Sequence, residues 1–64
     1  MFTLYYFIDT TNSKAIFTNE DLGPCLAYIK ANFLVPQRCL IISPNNRRIT
    51  FNNQNDLVFG KSAA

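Results

Sequence analysis

The 64-residue chain is expected to fold as a single α+β domain, ordered β-β-α-β-β, with one helix packed on one face of an antiparallel or mixed sheet. Three observations predict it. Runs rich in aromatic and aliphatic residues at 2–9, 14–18, 38–43 and 47–52 are separated by polar turns, and such residues suit a pleated, half-buried surface. One amphipathic stretch, TNEDLGPCLAYIKANF at 18–33, lies between the second and third runs. The length allows one core only, because domains rarely fall below about 50 residues. A helix laid over a sheet is then the compact solution.

The first strand spans residues 2–9. Alternation sets Phe2, Leu4, Tyr6 and Ile8 on one face and Thr3, Tyr5, Phe7 and Asp9 on the other. Both faces carry apolar groups, which a one-sided sheet would not need. Thr10-Thr11-Asn12-Ser13 reads as a hairpin turn, and Lys14 to Thr18 as the returning strand. Thr18, Asn19 and Asp21 are all good helix caps, and Pro24 chooses among them. Proline is tolerated in the first turn, where its missing N–H has no helical partner. The helix is therefore expected to begin near Glu20 or Asp21 and to run to about Phe33. Leu22, Cys25, Leu26, Ile29 and Phe33 form its buried stripe. Val35-Pro36 ends it.

RCLIIS, residues 38–43, is an almost continuous aliphatic run and reads as a central strand buried on both faces. Pro44-Asn45-Asn46 turns the chain into a fourth strand, Arg47 to Asn52, with Ile49 and Phe51 opposite Arg48, Thr50 and Asn52. Five of the eight asparagines lie between Asn45 and Asn55. Their amides bond nearby backbone and tolerate left-handed conformations, so this third of the chain is turn-rich. Leu57 to Phe59 reads as a short fifth edge strand or an apolar tail, and 59–64 as a frayed end.

Composition narrows the function classes. A chain of this size buries roughly 60% of its unfolded surface, so its core is marginal. With 48% hydrophobic and 16% charged residues it is globular. A net charge of +2 is too mild to announce nucleic acid. Cys25 and Cys39 are two thiols in a chain without histidine. A zinc site needs four ligands, and a disulfide scaffold normally has four or more cysteines. Two reduced, core-facing thiols and a cytoplasmic home are the reading. The apolar N-terminus lacks a basic leader and is shorter than the roughly 20 residues that span a membrane, so no membrane association is expected.

The chemistry-bearing groups do not add up to a catalyst. There is no histidine to serve as a base near neutral pH. Glu20 and Asp21 are accounted for by a helix start, and neither cysteine has a visible base partner. LGPC lacks the glycines and the Lys-Ser/Thr pair of a phosphate loop. No enzyme, no cofactor and no metal site are expected. The adjacent Arg47 and Arg48 point to opposite faces if both lie in a strand. Charges beside a hairpin tip commonly keep an edge strand unpaired. The functional reading joins Arg48 to Tyr5 and Phe7 on a sheet face that the helix leaves open. Arginine and aromatics are enriched at binding hot spots. The same groups could stack single-stranded bases, so a small nucleic-acid-binding domain using the aromatics and the Arg47/Arg48 hairpin is the alternative. Homodimerisation through the open face is a further outcome.

The stretch from Phe2 to Pro44 resembles, in layout, the short gene-2 transcription inhibitors of T7-like phages, which bind host RNA polymerase. A hairpin is followed by Thr-Asn-Glu-Asp-Leu opening a helix, then Phe33-Leu34-Val35-Pro36, a strand and Pro44. The resemblance implies a non-enzymatic, host-takeover protein acting in the host cytoplasm on a larger protein such as RNA polymerase. That family is acidic and uses arginines in the strand after the helix, where Ile41 and Ser43 stand here. Arg47 and Arg48 lie one turn later. The family's arginine contacts do not carry over, and the candidate partner-binding residues are those read from the strand faces and the hairpin: Tyr5, Phe7, Arg47 and Arg48.

Overall fold

The computed structural model describes residues 1–62, with the backbone alone at 61 and 62. Two strands, β1 (Phe2–Phe7) and β2 (Ser13–Asn19), precede the helix α1 (Leu22–Ala31). A single 3₁₀ turn, Pro36–Arg38, leads into β3 (Cys39–Ile42), β4 (Arg47–Phe51) and β5 (Leu57–Ser62). The order after the helix is therefore three strands, not the two expected. The strands form one antiparallel sheet in the order β2-β1-β3-β4-β5. Because β2 and β3 both run antiparallel to β1, they are parallel to each other on its two sides, and α1 carries the chain across one face between them.

The core is one row across that face. Leu4, Ile41 and Ile49 are cross-strand neighbours and are at most 1% exposed. Cys25 and Ile29 of α1 and Cys39 of β3 complete the buried cluster. Both cysteines are free, and burial pushes both thiols up from their ordinary value. They pack as small hydrophobes. A bulge between Leu4 and Tyr5 pairs them with Phe17 and Ala15. It lets Ile16 and Phe17, adjacent in sequence, both pack against the core. Phe17 stacks on Tyr28 of α1, with centroids 4.6 Å apart and planes 22° from parallel.

Several boundaries differ from expectation. Strand β1 stops at Phe7, and Ile8, expected on the helix side, is 61% exposed. Its N–H instead donates to Asn12 O at 2.9 Å and closes the turn. The helix starts at Leu22 because Asn19 Oδ1 accepts the Asp21 N–H at 3.0 Å, bending the chain just before it. Pro24 then falls in the first turn, as required. At the other end, Asn32 Nδ2 donates to Tyr28 O at 2.9 Å, and Phe33 turns left-handed with φ 53°. The Leu34 N–H reaches Ile29 O at 3.1 Å and the Phe33 N–H reaches Lys30 O at 3.3 Å. This is a Schellman ending. It rotates Phe33 out of the expected stripe to 94% exposure and delivers Leu34 to the core edge in its place.

The two C-terminal hairpins share one design. Asn46 N–H donates to Ser43 O at 2.9 Å and Asn55 N–H to Asn52 O at 3.0 Å. Asn46 and Asn55 both take positive φ, 62° and 64°. Each loop also anchors the returning strand through a side chain: Ser43 Oγ accepts the Arg47 N–H, and Asn52 Oδ1 the Asp56 N–H, both at 2.9 Å. A three-residue loop ending in a left-handed residue is a favoured hairpin connection. Asparagine at that residue explains the local enrichment. Residues 59–62, expected to fray, are thus strand, while 63 and 64 lie outside the described residues.

Candidate protein-docking face

The helix covers one face of the sheet, and among the described residues no element lies on the other. Strand β5 extends the edge of the sheet instead of folding under it. The uncovered face follows from register. Thr3, Ile42 and Arg48 make one cross-strand row, and Tyr5 with Leu40 makes the next. Phe7 lies one row further, opposite Ser13, and Val58 stands beyond Thr50 toward the far edge. Strand β3, expected to be buried on both faces, is buried on one only. Cys39 and Ile41 are sealed against the helix side, whereas Leu40 and Ile42 are half-buried on the open side.

Tyr5 and Phe7 are half-buried on this face, flanked by neighbouring strands. Arg48 is exposed on it, one row from Tyr5 and two strands away, or about 10 Å across the sheet. The bulge opposite Arg48 brings Gly60 close. A Cβ there would meet Arg48 O at 3.2 Å and Arg48 Cβ at 3.5 Å, so position 60 itself sets no side chain against Arg48. Arg47 is on the other face, alternating with Arg48 and sharing the side of buried Ile49. Three of the four candidate residues therefore share one surface and Arg47 does not.

Among the described residues the charge on this face is of one sign. All four acids lie in connections: Asp9 between β1 and β2, Glu20 and Asp21 before α1, and Asp56 before β5. Arg48 is the single charged side chain on the open face among the described residues, and no carboxylate stands near it in the sheet. Asp9 is committed to its own turn. It accepts from the Thr11 and Asn12 N–H groups at 2.8 Å each and from Asn12 Nδ2 at 2.8 Å. Those bonds, led by the Asn12 side chain, hold its carboxyl at about 2.

Sequence reasoning missed three features. Arg38, after the 3₁₀ turn, sets its guanidinium over the Tyr6 ring at 5.6 Å and bonds Ile8 O. Phe33 stands fully outside. The third is a groove of about 360 Å³ between α1 and the β4–β5 hairpin, lined by Leu26, Ile29, Lys30, Phe51 and Leu57 among others. None follows from periodicity: Arg38 and Phe33 are placed by how a connection bends, and the groove by a five-stranded sheet that outreaches its one helix. Among the described residues no three cysteine or acidic side chains converge as metal ligands, and no helix is long and apolar enough to cross a membrane. No family model, curated protein or solved structure matches the chain.

Proposed function

We propose that the protein is a non-enzymatic protein-binding module that docks a larger partner on its uncovered sheet face. The observation that carries this reading is the open face itself: Tyr5, Phe7, Leu40 and Ile42 in adjoining rows, bordered by the exposed Arg48. Half-buried aromatics beside an arginine are the composition of binding hot spots. An exposed cation on a face that carries no other charge among the described residues calls for a partner that brings a carboxylate to an apolar patch. A second copy of the chain fits less well, since a twofold contact through this face brings in two Arg48 side chains and, among the described residues, no carboxylate to pair them. Nucleic acid fits less well too, because phosphate recognition neutralises several charges at once and this face presents one among the described residues.

The layout shared with the gene-2 inhibitors makes bacterial RNA polymerase the first partner to try, with action in a host cytoplasm. The experiment is a binding titration of the labelled chain against purified bacterial RNA polymerase and, in parallel, mass spectrometry of proteins it retains from a bacterial lysate. Arg48→Glu should leave the thermal midpoint unchanged and weaken the partner by about tenfold or more. Equal retention of the same partner by the folded Arg48→Glu and Phe7→Ser variants would remove the open face from the reading. Retention of a different enzyme keeps the class and discards polymerase.

A further inference from the structure

We infer that the groove between α1 and the β4–β5 hairpin is a second docking site, which takes one apolar side chain of an acidic peptide segment. The groove has a simple origin. Five strands span roughly 19 Å between the outer axes, and one helix about 10 Å wide cannot roof them. Helix α1 packs over β1 and β2, so the helix-side row of the outer hairpin, Phe51 and Leu57, is left facing the flank of Leu26 and Ile29.

Two features separate this groove from an ordinary packing gap. The first is that its walls are braced. Gln37 Nε2 donates to Asn52 O at 2.7 Å and to Asn55 Oδ1 at 2.6 Å, tying the 3₁₀ turn to the β4–β5 loop across the groove's end. Asn52 pins that loop internally through the Gln54 and Asp56 N–H groups, both at 2.9 Å. A preformed concavity lined by apolar groups is what a ligand site requires. The second is charge. Lys30 is the one charged residue of the lining, exposed at the rim and in no ion pair among the described residues. An apolar pocket with an unpaired ammonium at its lip selects an apolar group adjoining a carboxylate. The groove is also only partly enclosed, whereas a free small molecule is normally buried over about 70–90% of its surface. A side chain anchored on a larger peptide, whose backbone covers the opening, fits better than a free acyl chain.

This inference rests on the protein-binding reading but uses the face opposite Tyr5 and Phe7, so the two fail separately. The test is an amide-shift titration of the ¹⁵N-labelled full chain with the capped peptide acetyl-Glu-Phe-Leu-Glu-amide and its lysine counterpart, acetyl-Lys-Phe-Leu-Lys-amide. The acidic peptide should give saturable shifts at Leu26, Lys30 and Leu57, and Lys30→Gln should weaken it about fivefold. Lys30→Glu, folded by its thermal midpoint, should reverse the preference between the peptides. The inference is overturned by absent or unsaturable shifts, by shifts confined to the open sheet face, or by equal binding of both peptides. It is overturned equally by decanoate saturating the same amides at lower concentration, which would assign a free acyl ligand, or by the same shifts arising from protein concentration alone, which would assign a second copy.

Discussion

Phe33 carries the clearest conflict between residue and conformation. A left-handed backbone costs a side chain-bearing residue about 1–2 kcal/mol, and the Schellman position is ordinarily glycine. At 94% exposure the ring gains almost nothing in return within the chain. Phe33→Gly should therefore stabilise the domain by about 0.5–1 kcal/mol after glycine's extra unfolded-state entropy is subtracted, raising the thermal midpoint by about 4 °C. A lowered midpoint would show that the ring makes contacts of its own. Asp9 makes a second residue-scale prediction. Its carboxyl is held at about 2 against an ordinary 3.8. The folded value is depressed, so the stabilisation is complete above pH 4 and drains as pH falls through 2. Asp9→Ala should flatten the acid limb of a stability-against-pH curve between pH 4 and pH 2 while leaving its neutral shape unchanged. An unaltered acid limb would mean that the turn's bonds do not favour the ionised form.

At the scale of elements, strands and helix were legible where alternation or 3.6-residue spacing continued, and illegible where a connection or a bulge reset it. Ile49 and Phe51 show the first case. Strand period alone sets them opposite Arg48, and both pack on the helix side. Phe33 and Ile16 show the second. The spacing Leu26, Ile29, Phe33 is helical only if the helix continues, and the Asn32 amide ends it first. Ile16 reaches the core only because a bulge adds one residue to β2. The β4 hairpin tests this reading quantitatively. Ile49→Ala should cost about 3 kcal/mol, as a fully buried isoleucine does. Phe51→Ala should cost about 2 kcal/mol, below the roughly 3–5 of a fully buried phenylalanine, because its ring is only half-covered. Arg47→Ala with Arg48→Ala should change stability by under about 0.5 kcal/mol, since both are exposed. Urea melts of the three variants check the order, and a double-arginine loss as large as that of Phe51→Ala would contradict it.

At the scale of the whole molecule, the fifth strand decides what kind of protein this is. Its sequence, Leu-Val-Phe-Gly-Lys-Ser, carries a glycine that weakens any strand signal, which is why the end of the chain reads as frayed. The structure gives that glycine a use: it lets β5 pass against Arg48 O at the bulge. The same strand opens the candidate sites. By pairing with β4 at the sheet edge, β5 leaves the face of Tyr5 and Phe7 uncovered and supplies Leu57 to the groove. Had it folded beneath the sheet, the chain would present neither surface. It also completes a marginal core, because a domain of this size has little burial to spare. A chain ending at Asp56 leaves the outer edge of β4 unpaired and strips the Leu57 and Phe59 neighbours from Phe51 and Ile49. That truncated chain should lose its sharp, single urea transition and most of its near-ultraviolet circular dichroism. Cooperative unfolding by the truncated chain, with a slope matching the full chain, would reduce β5 to an accessory strand and return the surface it frames to an incidental edge.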